Sequence, residues 1–532
     1  MIASTPSVHL RDLDPFDFLE RAALVFPAKT AVIDGPARRS YPQFLDRVLR
    51  LAAALQERGI RAGERVAVIS PNASMPLEAT FAVPLAGGIL CALNTRLAPA
   101  EIDYILGHCG ASLLLHDYEL DGLVENLAAP PPAIRVAASG ERHGSSESYE
   151  DVLAGADPAA LTRARPREDD TISINYTSGT TGRPKGVMYT FRGAYQNALA
   201  EIFHASLQPE SVYLWTLPMF HCNGWCFPWA VTAAGATHVC LRKVEPIGIN
   251  AAIIGEGVTN FSAAPTVLIG LANHPGTQTF PRRVIVTTAG APPAPATIAQ
   301  MEALGADIRH VYGLTEVYGP ITVCAWRGEW DALPPAERAR LRSRQGVPML
   351  TLGHYDVRVA DPELNDVPWD GVTHGEIVMR GNNVMKGYYN DPEATERAFS
   401  GGWFHSGDIA VRHPDGYIEI VDRAKDVIIS GGENISTQQV EKVLLEHEAV
   451  LECAIVAIPD ERWGEVPKAF VTLKAGRSVD GEELRTFMRS RLAAFKVPKA
   501  YEFCDLPKTS TGKIQKYVLR DREWKGREKR VN

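Results

Sequence analysis

Residues 176–187 read Tyr-Thr-Ser-Gly-Thr-Thr-Gly-Arg-Pro-Lys-Gly-Val. They follow the apolar run Ile172-Ser173-Ile174, which reads as a strand. Four hydroxyl residues (Thr177, Ser178, Thr180, Thr181) and three glycines (Gly179, Gly182, Gly186) surround Lys185. Glycine lets backbone N–H groups approach an anion, hydroxyls add donors, and the lysine adds a full positive charge. A strand that ends in such a loop predicts a polyphosphate cradle. The spacing is not Gly-x4-Gly-Lys-Ser/Thr, so the cradle is not of the Walker type.

Strand-like and helix-like runs alternate around this stretch. Phe44, Val48, Leu51 and Leu55 recur at helical spacing, with Ser40 before them and Gly59 after. Arg65-Val-Ala-Val-Ile-Ser70, Ser112–Leu115, Ser211–Leu214 and Val284–Val286 read as strands. This alternation predicts an α/β protein with layered, largely parallel sheets. Residues 329–345 read as an exposed helical insertion, and 139–148 as a surface loop. Past Val421 the pattern becomes strand, helix, strand, strand, helix over roughly 105 residues, enough for a small α+β domain. The expected division is 1–421, a hinge at 422–426, and 427–532.

The chain has 532 residues, 45% of them hydrophobic and 22% charged, and a net charge of −8. That length calls for at least two domains. The acidic balance and the lack of a basic stripe argue against a nucleic-acid partner. Arg11, Asp12, Asp14 and Asp17 interrupt any secretory pattern. The uncharged run between Glu78 and Arg96 is shorter than the roughly 20 residues that span a bilayer, so it reads as buried core and no membrane partner is expected. Eight scattered cysteines form no disulfide framework, and a cytoplasmic location is expected. His221, Cys222 and Cys226 lack a second ligand pair, so they read as an apolar wall and not a metal–thiolate site.

Four further blocks follow the first in order: His310-Val-Tyr-Gly-Leu-Thr-Glu316, Trp403-Phe-His-Ser-Gly-Asp408, Val421-Asp-Arg-Ala-Lys-Asp426 with Gly431-Gly432-Glu433-Asn434, and Pro507-Lys-Thr-Ser-Thr-Gly-Lys513. Together the five resemble the adenylate-forming (AMP-binding) enzymes, and in particular acyl-CoA synthetases of the medium-chain, methylthio- and aryl-carboxylate type. The resemblance implies a large N-terminal domain and a small mobile C-terminal domain. It also implies two half-reactions: ATP and a carboxylate give acyl-AMP and pyrophosphate, then coenzyme A gives the thioester and AMP.

A carboxylate is ionised at neutral pH, so the first half-reaction needs cations and aligned donors more than a base. Lys185 and the hydroxyls of Thr177, Ser178, Thr180 and Thr181, with Gly179 and Gly182, are expected to grip the phosphates. Glu316, with Thr177, is expected to hold Mg²⁺. Lys513 is expected to reach the acyl carboxylate and the bridging oxygen. By resemblance, Asp408 and Arg423 bind the ribose, Gly290, Ala291, Pro292 and Tyr312 form the adenine slot, and Gly313 and Thr315 belong to the ATP site. The acyl pocket is assigned to Trp215, His221, Asn223, Gly224, Ala289, Val317, Tyr318 and Gly319, with His221 gating the thiol channel. Gly431, Gly432 and Trp463 are assigned to coenzyme A, and Lys425 to the hinge; Trp463 reads equally well as ordinary core.

Three residues depart from the pattern of this subgroup: Phe191 where His is usual, Ala289 for the first of two glycines, and Val317 for Thr, Ser or Met. They leave the activated group open between a medium-chain or aryl acid and another oxyanion such as nitrite. They also leave the acceptor open between coenzyme A, a carrier-protein thiol and an amine. A luciferase-like oxygenase and a catalytically silent ligand-binding homologue are the remaining readings, and intact Lys185, Glu316, Asp408 and Lys513 argue against the silent one. Homodimers are common among similar enzymes, and the sequence leaves that partner open.

Overall fold

The computed structural model describes residues 8–136, 146–177, 184–290, 293, 295–423, 425–430, 433–460, 462–509 and 512–525. Among these residues two large sheets and one small sheet build the main body. The nine-stranded sheet runs, in spatial order, Val347–Pro348, Gly319–Val323, Ala306–Leu314, Val284–Thr288, Asn260–Ala263, Val212–Trp215, Thr237–Cys240, Thr30–Asp34 and Ala37–Ser40. Its central strands are parallel, as the alternation predicts. The eight-stranded sheet runs Gly387–Tyr388, Lys185–Thr190, Thr171–Thr177, Ile89–Ala92, Arg65–Ile69, Ala111–Asp117, Ala133–Val136 and Glu147–Ser148. A four-stranded antiparallel sheet (Val357–Ala360, Gly375–Met379, Phe404–Arg412, Ile418–Arg423) closes the body.

Local chemistry explains the helices that pack on these sheets. Ser40 and Gln43 cap the helix Tyr41–Glu57 reciprocally, and its apolar stripe of Phe44, Val48, Leu51 and Leu55 is wholly buried. The helix Ser74–Leu85, which runs into the start of the uncharged run, is buried along its whole length. The one carboxylate it carries, Glu78, is paired with Arg47 at 2.6 Å and accepts a 2.6 Å hydrogen bond from the Tyr149 hydroxyl. No helix among the described residues is long and apolar enough to cross a membrane.

A second, smaller body has its own core around Ile428, Val440, Leu444, Ile455, Val471 and Leu484. Its sheet pairs Glu433–Ile435, Ile428–Ser430, Gly464–Leu473 and Val450–Asp460 in that order, with Ala500–Phe503 parallel to Gly464–Leu473. The helix Lys516–Glu523 packs on the strand Val450–Asp460, through Leu519 against Ala454 and Val456. The sequence pattern misses Glu433–Ile435, Ala500–Phe503 and this last helix, all of them short.

Two readings of the sequence need correction. The segment 329–345 is helical (Gly328–Ala332 and Pro335–Arg342) but not an exposed insertion. Trp330 and Leu341 are buried against Cys324 and Tyr417, and the buried Arg344 pairs with Asp415 at 3.0 Å. Asp422, placed in the hinge, is buried and tied to the small body. Its carboxylate accepts from the Thr437 N–H (2.5 Å) and hydroxyl (3.1 Å), and Lys516 joins Thr437 (2.7 Å) to Glu441 (2.6 Å).

Gly313 lies opposite Pro320 in the antiparallel pair Ala306–Leu314/Gly319–Val323, and a methyl group there would overlap the Gly319 carbonyl. Gly313→Ala should cost about 3 kcal/mol, the upper end for overpacking, and lower the denaturation midpoint in a urea titration. Gly122→Ala, which projects into open space from the short helix Asp121–Val124, should instead be neutral or stabilise by about 0.4–1 kcal/mol in the same titration.

Candidate active site

The strands Thr171–Thr177 and Lys185–Thr190 pair antiparallel, with Thr177 opposite Lys185. These two residues are the feet of the glycine-rich loop; Ser178, Gly179, Thr180, Thr181 and Gly182 lie outside the described residues. The Lys185 ammonium sits 4.8 Å from the ring centre of Tyr388. Tyr388 in turn donates its hydroxyl to Glu316 Oε1 at 3.1 Å. Glu316 follows the strand Ala306–Leu314 on the short turn Thr315–Val317, fixed by a 2.8 Å hydrogen bond from the Met385 N–H to its own carbonyl. Burial pushes the Glu316 carboxyl up, and its own backbone N–H, the Tyr388 hydroxyl, Arg423 and Lys185 oppose that shift. Tyr388 thus holds an anion by its hydroxyl and a cation by its ring face.

On the neighbouring sheet Asp408 and Arg423 face each other across paired strands, with Nε 3.3 Å from Oδ1. The other carboxylate oxygen of Asp408 accepts the Tyr312 hydroxyl at 2.7 Å. Tyr312, expected as an adenine neighbour, is therefore anchored by its phenol to the residue expected to hold the ribose. Gly290 stands at the end of the strand Val284–Thr288, while Ala291 and Pro292 lie outside the described residues.

The small body delivers Lys513 to this same corner. Its side chain is exposed, as a group lining a substrate cleft must be. Desolvation pulls it down to about 7, Arg423 and Lys425 push the same way, and Asp408 and Asp426 hold it up. His221 is driven down to about 4 by burial and by Lys513, so it is neutral through the physiological range. Lys425 carries a lowered pKa from partial burial and from Arg423; its carbonyl accepts from Arg520, which pairs with Asp426 at 2.7 Å. Four cations, Lys185, Arg423, Lys425 and Lys513, thus converge with fewer fixed carboxylates than they could pair, an arrangement that suits a polyanion.

The assigned acyl wall is rigid. Asn72 donates to the carbonyls of Trp215 (2.7 Å) and Leu217 (3.0 Å) and accepts from the Met219 N–H (2.8 Å). Asn175 donates to the Phe220 carbonyl at 2.8 Å. His221 then leads into five consecutive residues with positive φ: Cys222 (45°), Asn223 (40°), Gly224 (61°), Trp225 (51°) and Cys226 (63°). Left-handed backbone costs roughly 1–2 kcal/mol per non-glycine residue, so this turn stores strain that the surrounding packing must hold. Trp215 is wholly buried, donates to His238 at 3.2 Å and lies against Gly224. Tyr318 stacks on Tyr189 at 3.8 Å and accepts the Trp229 N–H at 3.2 Å. Val317 and Ala289 are buried, and Gly319 lies against Trp225. Phe191 is buried in the core beside Phe81, Ile172 and Trp229. A small cavity is lined by His221 with Leu93, Asn94, Leu97, Asn175 and Thr315.

Trp463 is not core: it is 43% exposed, at the tip of the hairpin Val450–Asp460/Gly464–Leu473, with the Arg462 guanidinium 4.7 Å from its ring centre. Gly431 and Gly432 lie outside the described residues. Cys222 and Cys226 are buried thiols whose pKa values burial raises, and no group of three or more metal-type ligands exists among the described residues. Glu316 has the chemistry Mg²⁺ would need: its one side-chain hydrogen bond comes from a neutral phenol, which leaves carboxylate lone pairs that would suit a hard cation. Sequence reasoning missed Tyr388, Asn72, Asn175 and His238; the tandem tyrosines of Lys386-Gly-Tyr-Tyr389 were the available signal for the first.

The chain matches the AMP-binding enzyme family over residues 19–389 and the AMP-binding enzyme C-terminal domain over residues 439–513. It is 46% identical over 536 residues to the acetate–CoA ligase CCL3 of Humulus lupulus, covering 96% of this chain and 94% of that protein. It is 45% identical over 540 residues to the peroxisomal acetate/butyrate–CoA ligase AAE7 of Arabidopsis thaliana, with coverage of 96% and 94%. Among solved structures, the anthranilate CoA ligase AuaEII in complex with anthranoyl-AMP superposes with a TM-score of 0.84 at 25% identity, over 97% of this chain and 98% of that one. With both family segments matched in order and such relatives aligned end to end, the chain belongs to the AMP-binding enzymes.

Proposed function

We infer that this protein is an ATP-dependent, AMP-forming acid–CoA ligase acting on short-chain carboxylates. The observation that carries the reading is the convergence of Lys185, Glu316, Asp408, Arg423 and Lys513 in one cleft, in a chain this similar to acid–CoA ligases. In the first half-reaction the carboxylate attacks the α-phosphorus. Lys185 and the loop that Thr177 begins balance charge on the leaving pyrophosphate, and Lys513 balances it on the acyl and bridging oxygens. Mg²⁺, held by Glu316 and Thr177, would neutralise phosphate charge when bound. Asp408, oriented by Tyr312 and Arg423, takes the ribose hydroxyls.

The second half-reaction needs the coenzyme thiol beside the adenylate. The cavity that His221 lines is the place this reading gives to the end of the pantetheine arm, with an uncharged His221 beside the thiol. Exposed Trp463 with Arg462 suits an adenine ring and its phosphates. Because Lys513 now occupies the cleft, presenting Trp463 requires rotation of the small body, residues 427–532, about Lys425. Within the short- to medium-chain range, the acetate and butyrate of the named relatives support a short acid. Free cysteines throughout support a reducing compartment, the cytoplasm being the simplest.

Three outcomes are expected. In a pyrophosphate-release screen over straight-chain acids, benzoate and nitrite, activity should peak at acids of about four carbons or fewer, since each methylene that the pocket cannot take costs roughly 1–3 kcal/mol; a peak at benzoate or at eight carbons would reject the short-acid reading.

The charged fraction of Lys513 falls as pH rises through about 7, so kcat/KM for ATP in ATP–pyrophosphate exchange should decline on the alkaline side. Bound anions hold the proton on, so the decline in kcat should lie at higher pH. In Lys513→Arg the decline near 7 should disappear, because arginine stays charged, although the rate itself drops.

Trp463→Ala should raise the KM for coenzyme A roughly 5- to 150-fold, the equivalent of about 1–3 kcal/mol of stacking, with exchange nearly unchanged. Equal loss in both half-reactions would remove Trp463 from the coenzyme site.

A further inference from the structure

The turn that carries Lys513 is tightly built. Lys508 and Ile514 bridge antiparallel, the Thr509 N–H donates to the Lys513 carbonyl at 2.7 Å, the Gly512 N–H donates to the Thr509 carbonyl at 2.9 Å, and the Lys513 N–H donates to the Thr509 hydroxyl at 3.0 Å. These bonds tie Gly512 and Lys513 to Thr509, so the position of Lys513 depends on where Gly512 is seated. Its seat is on the main body. A Cβ built on Gly512 would overlap the Thr266 Oγ1 and lie 3.3 Å from the Thr266 Cβ. Thr266 stands in the first turn of the helix Pro265–Asn273, directly after the strand Asn260–Ala263 of the nine-stranded sheet. Gly512 also has a φ of +82°, so the turn presents bare backbone to this side chain.

We propose that Thr266 is a positioning residue for adenylation: it is the stop against which the Gly512 backbone seats, fixing how deeply Lys513 enters the cleft. The residue touches no reacting group and acts only through the turn. Its size is the relevant property. A longer side chain holds the turn off the cleft, and a shorter one lets it settle deeper or fit loosely. Because the contact joins the two bodies, it exists only while Lys513 is docked and has no part in thioester formation. The inference rests on the two-step ligase reading.

The test measures the two half-reactions separately in the full-length protein: acid-dependent ATP–pyrophosphate exchange, and thioester formation from supplied acyl-adenylate and coenzyme A. Thr266→Leu should lower exchange about 100-fold, the scale expected when a catalytic group is displaced by about 1 Å, while thioester formation stays near wild type. Gly512→Ala should lower exchange comparably, and Gly512→Ala with Thr266→Ala should recover at least ~10-fold of it, a coupling expected only of residues in contact. Recovery is partial because alanine at this φ remains strained. Parallel loss of both half-reactions in Thr266→Leu, or no recovery in the double variant, overturns the proposal. Wild-type protein with no exchange for any acid would instead overturn the ligase reading beneath it.

Discussion

The cross-strand pair of Asp408 and Arg423 is the contact on which the active-site corner depends. It joins the last two strands of the main body just before the chain passes to the small one. Tyr312 reaches the pair from the nine-stranded sheet, and Lys513 reaches it from the small body. One carboxylate therefore fixes a phenol from one sheet, pairs with a guanidinium on another, and holds up the pKa of a lysine from a separate body. The Asp408 carboxylate is buried with both oxygens engaged, and such a group holds its position because losing Arg423 would leave its charge unpaired and losing Tyr312 would leave an oxygen unsatisfied in a low dielectric.

A second organising device is the separation of opposite charges by Tyr388. Lys185 and Glu316 are close enough to influence one another, and with no anion between them they would gain by pairing directly. The Tyr388 ring and hydroxyl occupy each of them weakly. Little is lost when stronger partners arrive, which is preorganisation in the electrostatic sense.

Much of this was legible in the sequence. The capped helix Tyr41–Glu57, the parallel strands and the strand that leads into the loop at Thr177 follow from periodicity and capping, which act over a few residues. The meeting of Lys185 with Glu316 and of Asp408 with Arg423 follows from motif resemblance. What escaped the reading depends on distant partners. Asn72 looks like a turn residue until it is seen to hold the carbonyls of Trp215 and Leu217. Trp330 and Arg344 sit in a stretch of charged composition, yet they are buried because Tyr417 and Asp415 cover them. Asp422 reads as solvated linker until Thr437 and Lys516 close over it. The left-handed run gave no local signal, since four of its five residues are not glycine.

That run has a consequence for how the enzyme can diversify. A segment already held in a disfavoured backbone has little spare stability, and most substitutions within it add to the deficit. Neighbouring wall positions such as Val317 and Ala289 sit on ordinary backbone and can exchange one apolar side chain for another at modest cost. New acid preferences should therefore be reached through residues around the turn, while the His221–Cys226 segment itself stays nearly frozen, an evolutionary boundary set by chain conformation and not by contact with the substrate.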